Sequence, residues 1–245
     1  KYYIVIIFLS VFVDYFILHF IQDLTLQPMY DKEGLSYHSR PHGITGQPSV
    51  NSTLVIFFYS LLISTKDDKH LGFFFLTSAT ILLQGSGVGF ILYAFLLYSM
   101  AKKTKHKYLV YFFSILFLST LILTNNIPHK ISLTYLKAFY QVFLNQLSSA
   151  NSSIQTPIDL LLGGWSAGID FLPIFLIANM GLIFLLLILS LFVYLIFKTK
   201  LYYERVAIFI ILIGSMHYPA IFYTLSSFFL PLLIFKIINH KHYAL

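Results

Sequence analysis

The chain alternates long apolar runs with short breaks that are polar, basic or rich in glycine and proline. Apolar residues dominate 2–21, 51–65, 71–101, 108–124, 172–197, 206–219 and 220–238. Runs of this length, built from Phe, Leu, Ile and Tyr, predict spanning helices and not the weak two-residue alternation of a membrane barrel. The run 71–101 is too long for one ordinary span and is interrupted at Gln84-Gly85-Ser86-Gly87, which predicts two short helices joined by a tight turn. His217-Tyr218-Pro219 predicts the last hairpin turn. The expected fold is all-α, a polytopic transmembrane helix bundle of about eight spans forming a single domain over 1–245. Two extracytoplasmic loops, over about 22–50 and 125–171, interrupt it.

Inside the second loop the period changes. Leu133, Leu136, Tyr140, Phe143 and Leu147 fall on one helical face and Thr134, Lys137, Gln141, Asn145 and Ser148 on the other. This predicts an amphipathic helix on the membrane surface, either covering the bundle or acting as a lid over a substrate groove. Ser148 to Ser153 reads as a flexible polar linker after it.

Composition agrees with a membrane protein. At 58% hydrophobic and 10% charged residues, with a mean hydropathy of +0.81 over 245 residues, the apolar surface exceeds what one soluble core buries. The net charge of +7 suggests nucleic acid only until its distribution is read, because the positives sit in short clusters between apolar runs. Lys1, Lys66, Lys69, Lys102, Lys103, Lys105, Lys107, Lys198, Lys200, Arg205, Lys236 and Lys241 all fall on one side of the parse. Of the 16 basic residues only Lys32, Arg40, Lys130 and Lys137 remain for the other. Loop Lys and Arg set orientation, so the richer side is cytoplasmic and both long loops, with the turns at Gln84–Gly87 and His217, face outward. No cysteine is present, which removes disulfides, thiolate nucleophiles and thiolate metal sites. The chain starts at Lys1 without methionine, and its first run carries Asp14 and His19 and lacks a small-residue cleavage site. The first run therefore reads as a span and not a signal peptide, and residue 1 as the start of the C-terminal part of a longer chain.

Chemistry-bearing residues gather on the outer side. Arg40, in Tyr37-His38-Ser39-Arg40-Pro41-His42-Gly43, is a cation at any accessible pH and grips phosphate with two parallel hydrogen bonds. It would otherwise pair with Asp31 or Glu33 or snorkel to headgroups. The prolines and glycines of 41–48 fix the loop's path and would expose backbone N–H groups suited to a diphosphate, as in any turn. His38 and His42 flank Arg40 and are candidates for substrate binding beside it; they are four apart, but Pro41 breaks a helix between them, so no metal site is expected. Asp170 stands where the second loop enters a span, fit for catalysis or for capping a helix, and Asp159 has a weaker case. His217 is a base or phosphate ligand, or a histidine satisfied by a backbone carbonyl. Asp14 lies within a span, where an ionisable group faces a partner or a cavity and would be central to a proton-coupled transporter. Asn51-Ser52-Thr53 and Asn151-Ser152-Ser153 match the glycosylation pattern, a match that recurs by chance.

Four stretches in order resemble the Wzy-type O-antigen polymerases and the related O-antigen ligases of bacterial envelopes. Arg40-Pro41-His42-Gly43 through Gln47-Pro48-Ser49-Val50-Asn51 looks like the family's outer-loop arginine, glycine and Pro-x-Asn-like run. Leu82-Leu83-Gln84-Gly85-Ser86-Gly87 is similar to a turn in which relatives carry Ser-Arg, with Gly87 in place of the arginine. Leu161-Leu162-Gly163-Gly164 through Asp170 and Asn179-Met180-Gly181 resembles the segment where ligases carry a histidine before a glycine. Asp170 holds the histidine's place, and Phe184 replaces a second glycine, a departure that favours polymerase. Gly214-Ser215-Met216-His217-Tyr218-Pro219 looks like a late His-Tyr turn of polymerases.

The resemblance implies a glycosyltransferase that joins polyprenyl-diphosphate-linked oligosaccharides, O-antigen or capsule repeat units, at the outer face of the bacterial inner membrane. It implies no cofactor or metal, because the donor is already activated. Arg40 would stabilise the leaving diphosphate, Asp170 or His217 would act as base, and Tyr37, Trp165 and Tyr218 would stack on sugars. Partners would be the lipid-linked substrate, the bilayer and a chain-length regulator protein, with no nucleic acid. A ligase passing finished glycan to lipid A core shares the same donor site. A flippase or other transporter would distribute polar residues through the spans, where Asp14 is the main one.

Overall fold

The computed structural model describes residues 1–20, 41–65, 70–103, 133–164, 169, 171–216 and 224–238, with 108, 110–112, 114, 115 and 119 between them. All regular structure among the described residues is helical. In chain order the helices are α1 (Tyr2–Phe20), α2 (Pro48–Ser64), α3 (His70–Gln84), α4 (Gly87–Lys103), α5 (Leu133–Ser153), α6 (Pro157–Leu162), α7 (Leu172–Lys198), α8 (Tyr202–Ser215) and α9 (Thr224–Ile238).

One helix among the described residues, α7 with 27 residues, is long and apolar enough to cross a membrane by length and composition. The apolar helices α2, α3 and α4 have 17, 15 and 17 residues. At about 1.5 Å per residue these reach roughly 22–26 Å, against a hydrocarbon core about 30 Å thick. Their shortness has local causes. Pro48 opens α2, and the break after Gln84 divides α3 from α4.

The described residues form two compact units, Lys1–Tyr140 and Gln141–Leu245. In the first, α2 is the centre, with α1, α3 and α4 all packed against it. Every α2 residue from Val50 to Ser60 is buried, the polar Asn51, Ser52, Thr53 and Ser60 included, because three helices pack around it. The flanking helices bury one stripe each. On α1 it is Ile4, Ile7, Val11 and Asp14, and on α3 it is Phe74, Thr77, Ile81 and Gln84. Both stripes run i, i+3, i+7, i+10, and both end in a polar residue at the same end of the unit. Tyr59, Phe74 and Tyr93 link α2, α3 and α4 with ring centroids 6.0 and 6.3 Å apart.

In the second unit α7 contacts α6, α8 and α9. It is bent at Gly181, whose φ of 84° departs from helical geometry, and a Cβ there would meet the Leu161 carbonyl oxygen at 2.1 Å. Backbone of α6 and α7 therefore touch directly, fastened by the Gly164 N–H donating to the Ala178 carbonyl at 2.8 Å. The expected linker over Ser148–Ser153 is helical instead, the last part of α5. Its serines donate back to the helix, Ser149 Oγ to Asn145 O at 3.0 Å and Ser152 Oγ to Ser149 O at 2.7 Å. Such bonds absorb the hydroxyls that would otherwise compete with the helix for its own backbone groups. On the face expected to be apolar, Tyr140 and Leu147 are exposed.

Candidate functional site

The site is built at the end of the first unit where the stripes of α1 and α3 turn polar and where α2 and α4 begin. Of the residues singled out as catalytic or substrate-binding, His42 lies within the described residues. Arg40, His38, Trp165, Asp170, His217 and Tyr218 lie outside them, as does Tyr37.

The loop 41–47 that carries His42 is fastened to α1 and α2. The N–H groups of His42 and Gly43 both donate to Asp14 Oδ2, the latter at 3.2 Å, and the Ile44 N–H donates to Ser10 Oγ at 3.1 Å. From the other side Asn51 Nδ2 donates to the His42 carbonyl. Gly46 N–H closes a turn onto the Gly43 carbonyl at 3.1 Å, and Thr45 Oγ1 accepts from the Gln47 N–H at 3.3 Å. Gly43 has φ of 62°, and a Cβ on it would lie 2.8 Å from both Asn51 Nδ2 and Val11 Cγ2. No other residue fits that backbone conformation in that space. The His42 ring sets Nδ1 3.1 Å from the Gly46 carbonyl.

These contacts correct one expectation. The loop's N–H groups were expected to be available for a diphosphate, but those of His42, Gly43, Ile44, Gly46 and Gln47 are taken up inside the protein. Asp14, 6% exposed, is the reason: a carboxylate in an apolar stripe needs donors, and two consecutive N–H groups supply them.

Beside the loop lies a polar cluster that sequence reasoning did not assemble. Ser86 Oγ accepts from the Gly89 N–H at 3.3 Å, capping α4, and donates to Ser49 Oγ in the first turn of α2 at 3.3 Å. Ser52 Oγ donates to Gln84 Oε1 at 2.7 Å. The two helix starts come this close because residue 89 is glycine: a Cβ there would lie 2.6 Å from Ser52 Cβ. Gln84 Nε2 and Asn51 Oδ1 are buried with no partner among the described residues, which makes the cluster costly at about 1–3 kcal/mol for each such group. The signal for it was the position of Gln84 on the buried stripe of α3.

Asp159 is placed as a cap. It forms a capping box with Thr156 at the start of α6, its Oδ2 accepting from Thr156 Oγ1 at 2.9 Å and from the Thr156 N–H at 2.8 Å. The Thr156 hydroxyl, then the Thr156 and Gln155 N–H groups, hold its carboxyl below the usual carboxylate range. No protein family, characterised protein or solved structure matches the chain.

Proposed function

We propose that the chain belongs to a polysaccharide polymerase, joining polyprenyl-diphosphate-linked repeat units of O-antigen or capsule type. It is a multi-pass protein of about eight spans in the bacterial inner membrane, with its site facing the periplasm. The observation that carries this reading is the meeting of the α2 and α4 starts at Ser49 and Ser86, beside the loop that Arg40 leads into. Helix N-termini carry positive potential and N–H groups without intrahelical acceptors, which suits an anionic leaving group. Where relatives of the resembled family carry an arginine, this chain has Gly87, the first residue of α4, so the dipole of α4 stands in the arginine's place. Arg40 supplies the bidentate cation. Asp170 and His217, from the second outer loop and the last turn, are the sequence's candidates for base, and Trp165 and Tyr218 for sugar stacking. Asp14, engaged by loop backbone, suits a fixed site better than a proton relay.

The test is the surface-glycan ladder of a strain lacking the gene, complemented with full-length wild type or with Arg40→Ala. A single-repeat glycan in the deletion strain, lengthened to a ladder only by wild type, is the expected result. Absence of attached glycan with long lipid-linked polymer accumulating would replace the polymerase by a ligase, and an unchanged ladder would replace it by a transporter.

A further inference from the structure

We propose that His42 takes the proton from the acceptor hydroxyl through Nε2. The inference rests on the glycosyl-transfer reading above and names a base for it. His42 Nδ1 is 3.1 Å from the Gly46 carbonyl oxygen. A carbonyl only accepts, so the proton sits on Nδ1, and in the neutral ring the lone pair is on Nε2. Nε2 has no partner among the described residues, and the side chain is half-buried, not sealed.

The backbone that carries the ring is held from both sides, its N–H by Asp14 Oδ2 and its carbonyl by Asn51 Nδ2. Asp14 is nine-tenths buried and Asn51 fully so, which fixes those anchors in turn. A ring fixed by one contact on a backbone fixed by two, with one nitrogen committed and the other without a partner among the described residues, has the preorganisation that proton transfer requires. A bare Nε2 and a phosphate oxygen are both acceptors and repel, whereas a sugar hydroxyl donates to Nε2. The chemistry of the neutral ring therefore selects the acceptor alcohol over the diphosphate.

The step balances. The hydroxyl proton moves to Nε2 and leaves imidazolium, and the hydroxyl oxygen's electron pair forms the bond to the anomeric carbon. The anomeric C–O bond breaks, and the polyprenyl diphosphate leaves with that pair.

The experiment uses membranes of the deletion strain carrying the full-length protein. The probe is the polyprenyl-diphosphate-linked single repeat extracted from that strain. His42→Asn keeps an amide N–H able to reach the Gly46 carbonyl but has nothing at Nε2. The expected result is wild-type protein level, a fall in kcat of about 10²–10⁴-fold and little change in KM. Added imidazole restores part of the rate to His42→Ala. A kcat for His42→Asn within tenfold of wild type overturns the assignment, and so does a raised KM at unchanged kcat, which makes His42 a binding residue. If neither variant reaches the membrane, diethyl pyrocarbonate treatment of wild type decides: modification at His42 with loss of rate supports the base, and full activity after modification overturns it. Failure of wild type itself to couple repeats sinks the polymerase reading, a result separate from any of these.

Discussion

The Gly43 N–H donates to Asp14 Oδ2 at 3.2 Å, tying a loop residue to a carboxylate in the buried stripe of α1 across 29 positions of sequence. His42 donates to the same oxygen. Asp14 is thereby the hinge pin between the first helix and the loop that carries the candidate base. Asp14→Leu fits the apolar stripe but strands two N–H groups, and hydrogen bonds to a charged partner contribute about 1.5–3 kcal/mol. The variant should unfold several degrees below wild type in detergent and lose polymer. Asp14→Asn keeps an acceptor oxygen and should fall between the two. If both variants fold like wild type but lose activity alike, Asp14 acts through its charge or its proton, as a transporter would require.

At the next contact the limit is space and not charge. A Cβ on Gly89 would lie 2.6 Å from Ser52 Cβ, closer than side chains pack. Gly89→Ala should force the α2 and α4 starts apart, destabilising the protein by about 1–3 kcal/mol and lowering polymer yield. Ser52→Gly removes the opposing atom, and the double variant Gly89→Ala/Ser52→Gly should recover part of the midpoint. Thermal unfolding of the four proteins closes the cycle, and strictly additive losses would show that the two positions do not meet.

Much of the helical framework was legible because it repeats locally. The break of the long run 71–101 at Gln84 falls where glycine and serine interrupt it, and the burial of Asp14 follows from its spacing from Ile4, Ile7 and Val11. The partners of those polar residues were not legible. Asp14 with His42, and Ser52 with Gln84, are 28 and 32 positions apart, and no periodicity encodes such a pairing. Ser148–Ser153 was misjudged from residue type: serine competes for backbone bonds in isolation, but here it returns them to its own helix. Of the two loops that carry most of the candidate site, the described residues include 41–50 and 133–164, and with them His42 and Asp159, but neither Arg40 nor Asp170.

The capping box at α6 makes a prediction with a definite sign. Asp159 has its carboxyl lowered from the ordinary 3.8 by bonds that exist only when the protein is folded. A depressed folded value stabilises the fold above the unfolded value, and that contribution disappears as pH falls through the folded one. Asp159→Asn should therefore lower the unfolding midpoint at neutral pH, with the gap to wild type closing as pH drops below about 4. A gap that stays constant down to the acid limit would mean that the carboxylate's charge contributes nothing at this cap.

The ion pair between α8 and α9 should respond asymmetrically to the loss of its two ends. Lys236 Nζ donates to Glu204 Oε1 at 2.5 Å; the lysine side chain is 50% exposed and the glutamate 1%. Glu204 Oε2 is buried with no partner among the described residues, so the carboxylate already has less than its full complement of donors. Lys236→Met leaves a buried charge unpaired, which costs about 3–5 kcal/mol when a fully buried pair is broken. Exposure on the lysine side reduces this to about 2 kcal/mol. Glu204→Met leaves an ammonium that solvent can reach, and it should cost less. Replacing both removes the desolvation of the carboxylate and its orphaned oxygen together, so Glu204→Met/Lys236→Met should be at least as stable as Lys236→Met and close to wild type. Unfolding midpoints of the three variants test this. Equal losses from the two single substitutions would show that burial of Glu204 does not set the energetics, and the pair would then act as an exposed one.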